Sequence, residues 1–131
     1  MAVRLFAWGP AATWAAVLFL LSASPDLPVS GWAREIPDEV LHLVAYTVLG
    51  ATLAHARFHG ARGVAHVAMI ALGALYGAAD EWHQSFVPGR VSSLGDWSAD
   101  VLGVVLGYVL SWTLASALLR RPDTDTKGST T

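Results

Sequence analysis

The 131-residue chain is 54% hydrophobic and only 14% charged, with 8 Lys+Arg against 10 Asp+Glu and no cysteine; its mean hydropathy is +0.49. Soluble domains carry about 25% charged residues, and a chain this short has too little interior to hide the surplus apolar surface, so an ordinary soluble domain is excluded and a bilayer is indicated. A net charge of -2, with no basic cluster beyond one Arg-Arg pair, leaves no footprint for nucleic acid, and the lack of Cys excludes disulfides, thiolate nucleophiles and iron–sulfur clusters.

In chain order, four apolar stretches predict helices over about 5–21, 40–56, 64–84 and 97–119. Each approaches the roughly 20 residues that cross about 30 Å of hydrocarbon. The first is the most uniformly apolar. Arg4, its apolar run and Ser22-Ala23-Ser24 also fit a cleavable signal peptide, against which Trp8, Gly9, Pro10 and Trp14 speak. The first connection holds Pro25, Pro28, Gly31 and Pro37; the second is short and basic; the third holds Pro88-Gly89. Short connections predict an all-α antiparallel bundle of four transmembrane helices forming one domain over 1–119. The polar tail 120–131 is expected to be disordered.

Basic residues set the expected orientation. Arg4, Arg57, Arg62, Arg120, Arg121 and Lys127 fall on one side of such a bundle, Arg34 and Arg90 on the other. The excess belongs in the cytoplasm, which puts both termini inside a bacterial inner membrane and turns the first and third loops outward. Trp32, Trp82 and Trp97 are then expected near the outer interface, and Trp8 near the inner one.

Ionisable residues gather at the outward ends of the helices. Asp38, His42 and Tyr46 share a face of the second helix; Asp80, Glu81 and Gln84 end a face of the third that continues inward through Gly73 and Gly77; Asp96, Asp100, Gly103 and Gly107 form a comparable stripe on the fourth. If the two glycine faces meet, these acids, His42 and Gln84 converge at headgroup depth, with Arg90 as counter-charge and phosphate ligand. Plainer roles compete: helix caps for Asp38 and Asp96, a solvated helix end for Asp80 and Glu81, and a packed, hydrogen-bonded His42. His83 falls outside the stripe, and His55, His59 and His66 flank the cytoplasmic loop. Carboxylates, an imidazole, an amide and a guanidinium suit acid/base work or a divalent cation acting on phosphate groups. Asp80-Glu81-x-x-Gln84 has Gln where HExxH needs a zinc ligand, and there is no nucleophile elbow, P-loop or dinucleotide fingerprint.

The residues that carry this pattern resemble the VanZ-like family of bacterial membrane proteins. They are Trp14 and Ser22-Ala23-Ser24-Pro25, then Asp38-x-x-x-His42-x-x-x-Tyr46, Asp80-Glu81-x-x-Gln84-x-Phe86-x-Pro88-Gly89-Arg90, and Asp96-x-x-x-Asp100-x-x-Gly103-x-x-x-Gly107. Glu39 stands where that family commonly has lysine and Asp100 where it has asparagine, so this pocket is the more acidic and leans toward a cation. The resemblance implies a membrane protein linked to teicoplanin susceptibility, without a defined reaction. Three functions fit: a pocket that binds or modifies an amphiphilic envelope molecule, a non-enzymatic accessory that packs its glycine faces on itself or a membrane partner, and a small ion-coupled transporter.

Overall fold

The computed structural model describes residues 2–25, 31 and 35–119. Trp32, Arg34 and the tail 120–131, with Arg120, Arg121 and Lys127, lie outside them. Four helices make up the described chain: α1 (Ala2–Ser22), α2 (Asp38–Gly60), α3 (His66–Gln84) and α4 (Leu94–Leu119). By length and hydropathy α1, α2 and α4 are able to cross a membrane. α3 falls short because its last turn contains Asp80, Glu81, His83 and Gln84.

Helix ends follow local chemistry more than the hydrophobic pattern. α4 starts three residues before the expected position, and α2 continues four residues beyond it to Gly60. Pro10 sits inside α1 and has no N–H to give the carbonyl of Phe6 one turn earlier. His55 Nε2 of α2 lies 3.3 Å from that carbonyl and takes the vacated position.

The most extensive contact joins α2 and α4, which run in the same direction. Gly103 lies on Leu43 and Thr47, and Gly107 on Thr47 four residues further along both helices. In return Gly50 of α2 faces the backbone of Val104 and Tyr108. A Cβ at Gly103 would come within 2.5 Å of the Leu43 carbonyl oxygen, and one at Gly107 would collide with the Thr47 carbonyl. Glycine is what lets these two backbones touch. The expected meeting of the α3 and α4 glycine faces is therefore corrected: Gly103 and Gly107 receive α2. Gly73 and Gly77 receive side chains, Val104 and Leu53 at the first and Asp100 and Tyr46 at the second.

α3 runs antiparallel to α4 along this pair, and α1 closes the other side antiparallel to α2. The Trp14 indole N–H donates to the Ala45 carbonyl at 2.8 Å, and the Tyr76 hydroxyl donates to the Ala15 carbonyl. Tyr46, Leu49, Leu53, Met69, Val104 and Tyr108 form the core. Leu75, Leu102, Leu110, Leu114 and Leu118 point outward, as lipid contact requires. Trp82 and Phe86 pair edge to face and are exposed at the polar end. Trp97, in the first turn of α4, is half-buried, and its indole N–H donates to the Ala74 carbonyl at 3.1 Å.

Gly107→Ala is expected to destabilise the purified protein by about 1–3 kcal/mol, because overpacking outweighs the gain in helix propensity. Gly9→Ala, in open space, should leave stability equal or higher. Thermal unfolding in one detergent compares the two.

Candidate functional site

Because α2 and α4 run in register, the first two turns of α2 face the first two turns of α4, and the last turn of α3 packs against both. Asp80, Glu81, Gln84, Asp96 and Asp100 are all buried there, Asp100 completely. His42 Nδ1 donates to Asp100 Oδ1 at 2.8 Å and lies 3.7 Å from Glu81 Oε1. The Tyr46 hydroxyl donates to Asp80 Oδ2 at 3.1 Å, and Gln84 Nε2 approaches the same oxygen at 3.5 Å. A Cβ at Gly77 would stand 3.0 Å from Asp100 Oδ2 and 3.3 Å from the Tyr46 ring, so the glycine makes room for both.

The start of α4 is tied into this group. Ser93 is its cap: the Asp96 N–H donates to Ser93 Oγ at 2.9 Å, and that hydroxyl donates to Asp96 Oδ2 at 2.8 Å. In a capping box the acid in the first turn accepts the N–H of the cap residue. Here Glu81 of α3 does so, accepting the Ser93 N–H at 2.9 Å. Asp96 thus lies inside the first turn, and the capping role weighed for it belongs to Ser93. Asp38 is the first residue of α2, is exposed and caps nothing, the N-cap being Pro37.

Arg90 departs from its expected role as counter-charge. It is half-buried and donates from Nη2 to the Leu21 carbonyl at 3.2 Å, bridging the α3–α4 loop to the end of α1. Among the described residues no Arg or Lys forms an ion pair with a carboxylate; the imidazole of His42 is the one basic group within reach of them, at Asp100 and Glu81. The acids therefore lean on hydrogen-bond donors, and there are too few. Asp80 Oδ1, Glu81 Oε1, Asp96 Oδ1 and Asp100 Oδ2 are buried without a partner, an expensive arrangement for carboxyl groups. His42, Glu81 and Asp100 each offer one ligand atom, all within 4.8 Å of one another, which makes them the residues able to hold a metal.

A groove of about 470 Å³ leads to this cluster between α1 and α2. Trp14, Leu18, Leu21, Val44, Ala45 and Val48 form its apolar walls, and His42, Asp80, Gln84 and Arg90 its polar end, with Asp38 at the rim. His83 stands apart, stacked on Phe19 at 4.7 Å. Two participants escaped sequence reasoning as site members. Tyr46 was visible only as a turn-spaced neighbour of His42, and Ser93 had its signal in Ser93-x-x-Asp96 at a helix start.

The opposite end of the bundle has different chemistry. His66 Nδ1 and the Tyr108 hydroxyl hydrogen-bond at 2.8 Å, and the Arg57 guanidinium lies 4.7 Å over the Trp112 ring.

Compared with known proteins, residues 6–116 match the family model described as VanZ/LLP1. That is most of the chain, and the chain belongs to this family. No curated protein and no solved structure matches it.

Ser93→Ala removes the cap of α4 and is expected to cost about 1 kcal/mol of stability. Ser93→Asp, which keeps an acceptor for the Asp96 N–H, brings a fifth acid into the cluster, beside Asp96 and Glu81, and should not restore it. Thermal unfolding of both variants decides.

Proposed function

We propose that this VanZ/LLP1 family member binds an amphiphilic molecule of the cell envelope, its chain along the α1–α2 groove and its polar group at the acidic end. One observation carries the reading: a groove with apolar walls ends on His42, Asp80, Gln84 and Arg90. Its volume lies within the about 300–1,000 Å³ of small-molecule sites. In a bilayer the apolar walls supply little net affinity, since lipid tails solvate an acyl or prenyl chain equally well. They set its direction. Selectivity then falls to the polar end, where the Arg90 guanidinium has N–H groups beyond the one held by Leu21, suited to phosphate oxygens. His42, Asp80, Glu81, Gln84 and Asp100 would read hydroxyl or other donor groups. Handling of such a molecule is the route by which the family's association with glycopeptide susceptibility would extend to this chain.

The chain crosses the bacterial inner membrane four times, with both termini cytoplasmic and the groove opening toward the outer leaflet. The basic residues near the His66 end support it. α3 is the shortest helix, yet 19 residues at about 1.5 Å each reach about 28 Å. A scaffold acting through glycine faces has less to recommend it, because Gly50, Gly73, Gly77, Gly103 and Gly107 already meet other helices of the same chain. Any partner would have to take the lipid-facing leucines.

Native mass spectrometry of the protein taken from its host membrane into nanodiscs tests the proposal. Wild type should retain an amphiphile of defined mass. Val44→Trp, which puts bulk into the groove from an exposed position, and Arg90→Ala should lower its occupancy at least about tenfold, as loss of a charged hydrogen bond implies. Equal occupancy in all three proteins, or no retained molecule in wild type, would overturn it.

A further inference from the structure

We infer that His42, Glu81 and Asp100 form a site for one divalent transition-metal ion of the Zn²⁺ or Mn²⁺ kind. The three residues come from α2, α3 and α4, and their ligand atoms already lie within 4.8 Å of one another. Ligand atoms on a tetrahedral ion with bonds of about 2.0–2.2 Å are about 3.3–3.6 Å apart; His42 Nδ1 and Glu81 Oε1, 3.7 Å apart, are already close to that spacing, and side-chain rotations of about 1 Å bring Asp100 to it.

The unpartnered oxygens give an independent reason. Glu81 is 6% exposed, and its Oε1 has no hydrogen-bond donor while it points at His42 Nδ1 from 3.7 Å. Its other oxygen is held by the Ser93 N–H, which fixes the carboxyl and leaves Oε1 directed into the cluster. A ligating carboxylate is oriented by just such a hydrogen bond to its other oxygen. Asp100, 0% exposed, likewise has an unpartnered oxygen. Asp80 and Asp96 each add another at the border. No described Arg or Lys pairs with any of these acids. A divalent cation supplies what the site lacks, a positive charge shared by several carboxylates at once.

The donor set selects the ion. One imidazole with two carboxylates suits first-row ions such as Zn²⁺ and Mn²⁺, whereas Ca²⁺ and Mg²⁺ favour oxygen ligands alone. Three protein ligands leave a coordination position free, and His42, one of the three, also lines the groove. The ion site rests on these side chains and does not depend on the groove's occupant.

The test is metal retention by the full chain in nanodiscs, stripped with chelator, loaded with Zn²⁺ or Mn²⁺ alone, desalted and analysed by elemental mass spectrometry. One confounder is visible: His55 and His59, one turn apart with rings 4.4 Å between centroids, would chelate the same ions. The assay is therefore run on wild type and on His55→Ala/His59→Ala. The latter is expected to keep one equivalent per chain, and adding Glu81→Gln or Asp100→Asn should weaken binding at least about tenfold. Wild type should lose one equivalent on Asp100→Asn alone, which guards against misfolding of the histidine-free background. Retention that disappears with His55 and His59, or that survives both carboxyl substitutions, would overturn the inference.

Discussion

The contact on which the molecule depends is the parallel approach of α2 and α4 through Gly50, Gly103 and Gly107. Helices surrounded by lipid gain nothing from the hydrophobic effect when they associate, so van der Waals contact and hydrogen bonding must hold them. Three glycines on two helices bring backbone onto backbone, and the four-residue step from Leu43–Gly103 to Thr47–Gly107 fixes the axial register. A shift of one turn would carry His42 away from Asp100. The imidazole–carboxyl hydrogen bond at 2.8 Å is thus a consequence of glycine packing below it, and in turn it secures the polar end of the same seam.

At that end the fold tolerates four buried carboxyl groups with one imidazole. Two of the groups are tied to α2 and two to Ser93. Asp100 takes His42 of α2, Asp80 takes Tyr46 of α2, Glu81 takes the backbone of Ser93, and Asp96 takes the Ser93 hydroxyl. Every one of these bonds uses a single carboxylate oxygen and leaves the second bare. A polar network built only for stability satisfies all its members, because an orphaned buried oxygen costs about 1–3 kcal/mol. Four such oxygens in one place are what the inferred cation would satisfy.

Much of this was legible in the residues. The four helices follow from apolar runs separated by Pro- and Gly-bearing connections, and the acidic end follows from i, i+4 spacing on three of them. Partner choice was not legible. The Gly103/Gly107 stripe shows that α4 approaches something closely, but spacing on one helix does not say which neighbour it meets, and the matching Gly50 on α2 is a lone glycine without a stripe of its own. The counter-charge role expected of Arg90 failed for a similar reason. Proximity in sequence to Asp80 and Asp96 suggested a counter-charge, whereas the turn at Gly89, with φ of 85°, and the bond to Leu21 put its guanidinium at the groove mouth. Ser93 and Glu81 form a capping arrangement across two helices, which no pattern within one helix reveals.

The location of the groove follows from how α1 meets α2. At the end opposite the acids the two helices are close: Ala7 is completely buried, and a Cβ at Gly60 would stand 2.6 Å from its methyl group. Further along, Trp14 bridges to the Ala45 carbonyl, and beyond it Leu18, Leu21, Leu41 and Val44 replace alanine and glycine as the facing residues. Small side chains at one end and large ones at the other hold the helices together below and apart above. The gap therefore opens toward the end where His42 and Asp80 lie, and the residues that could bind a polar group share it with the apolar walls that could hold a chain. One taper in side-chain size thereby makes the site amphiphilic without any further element of structure.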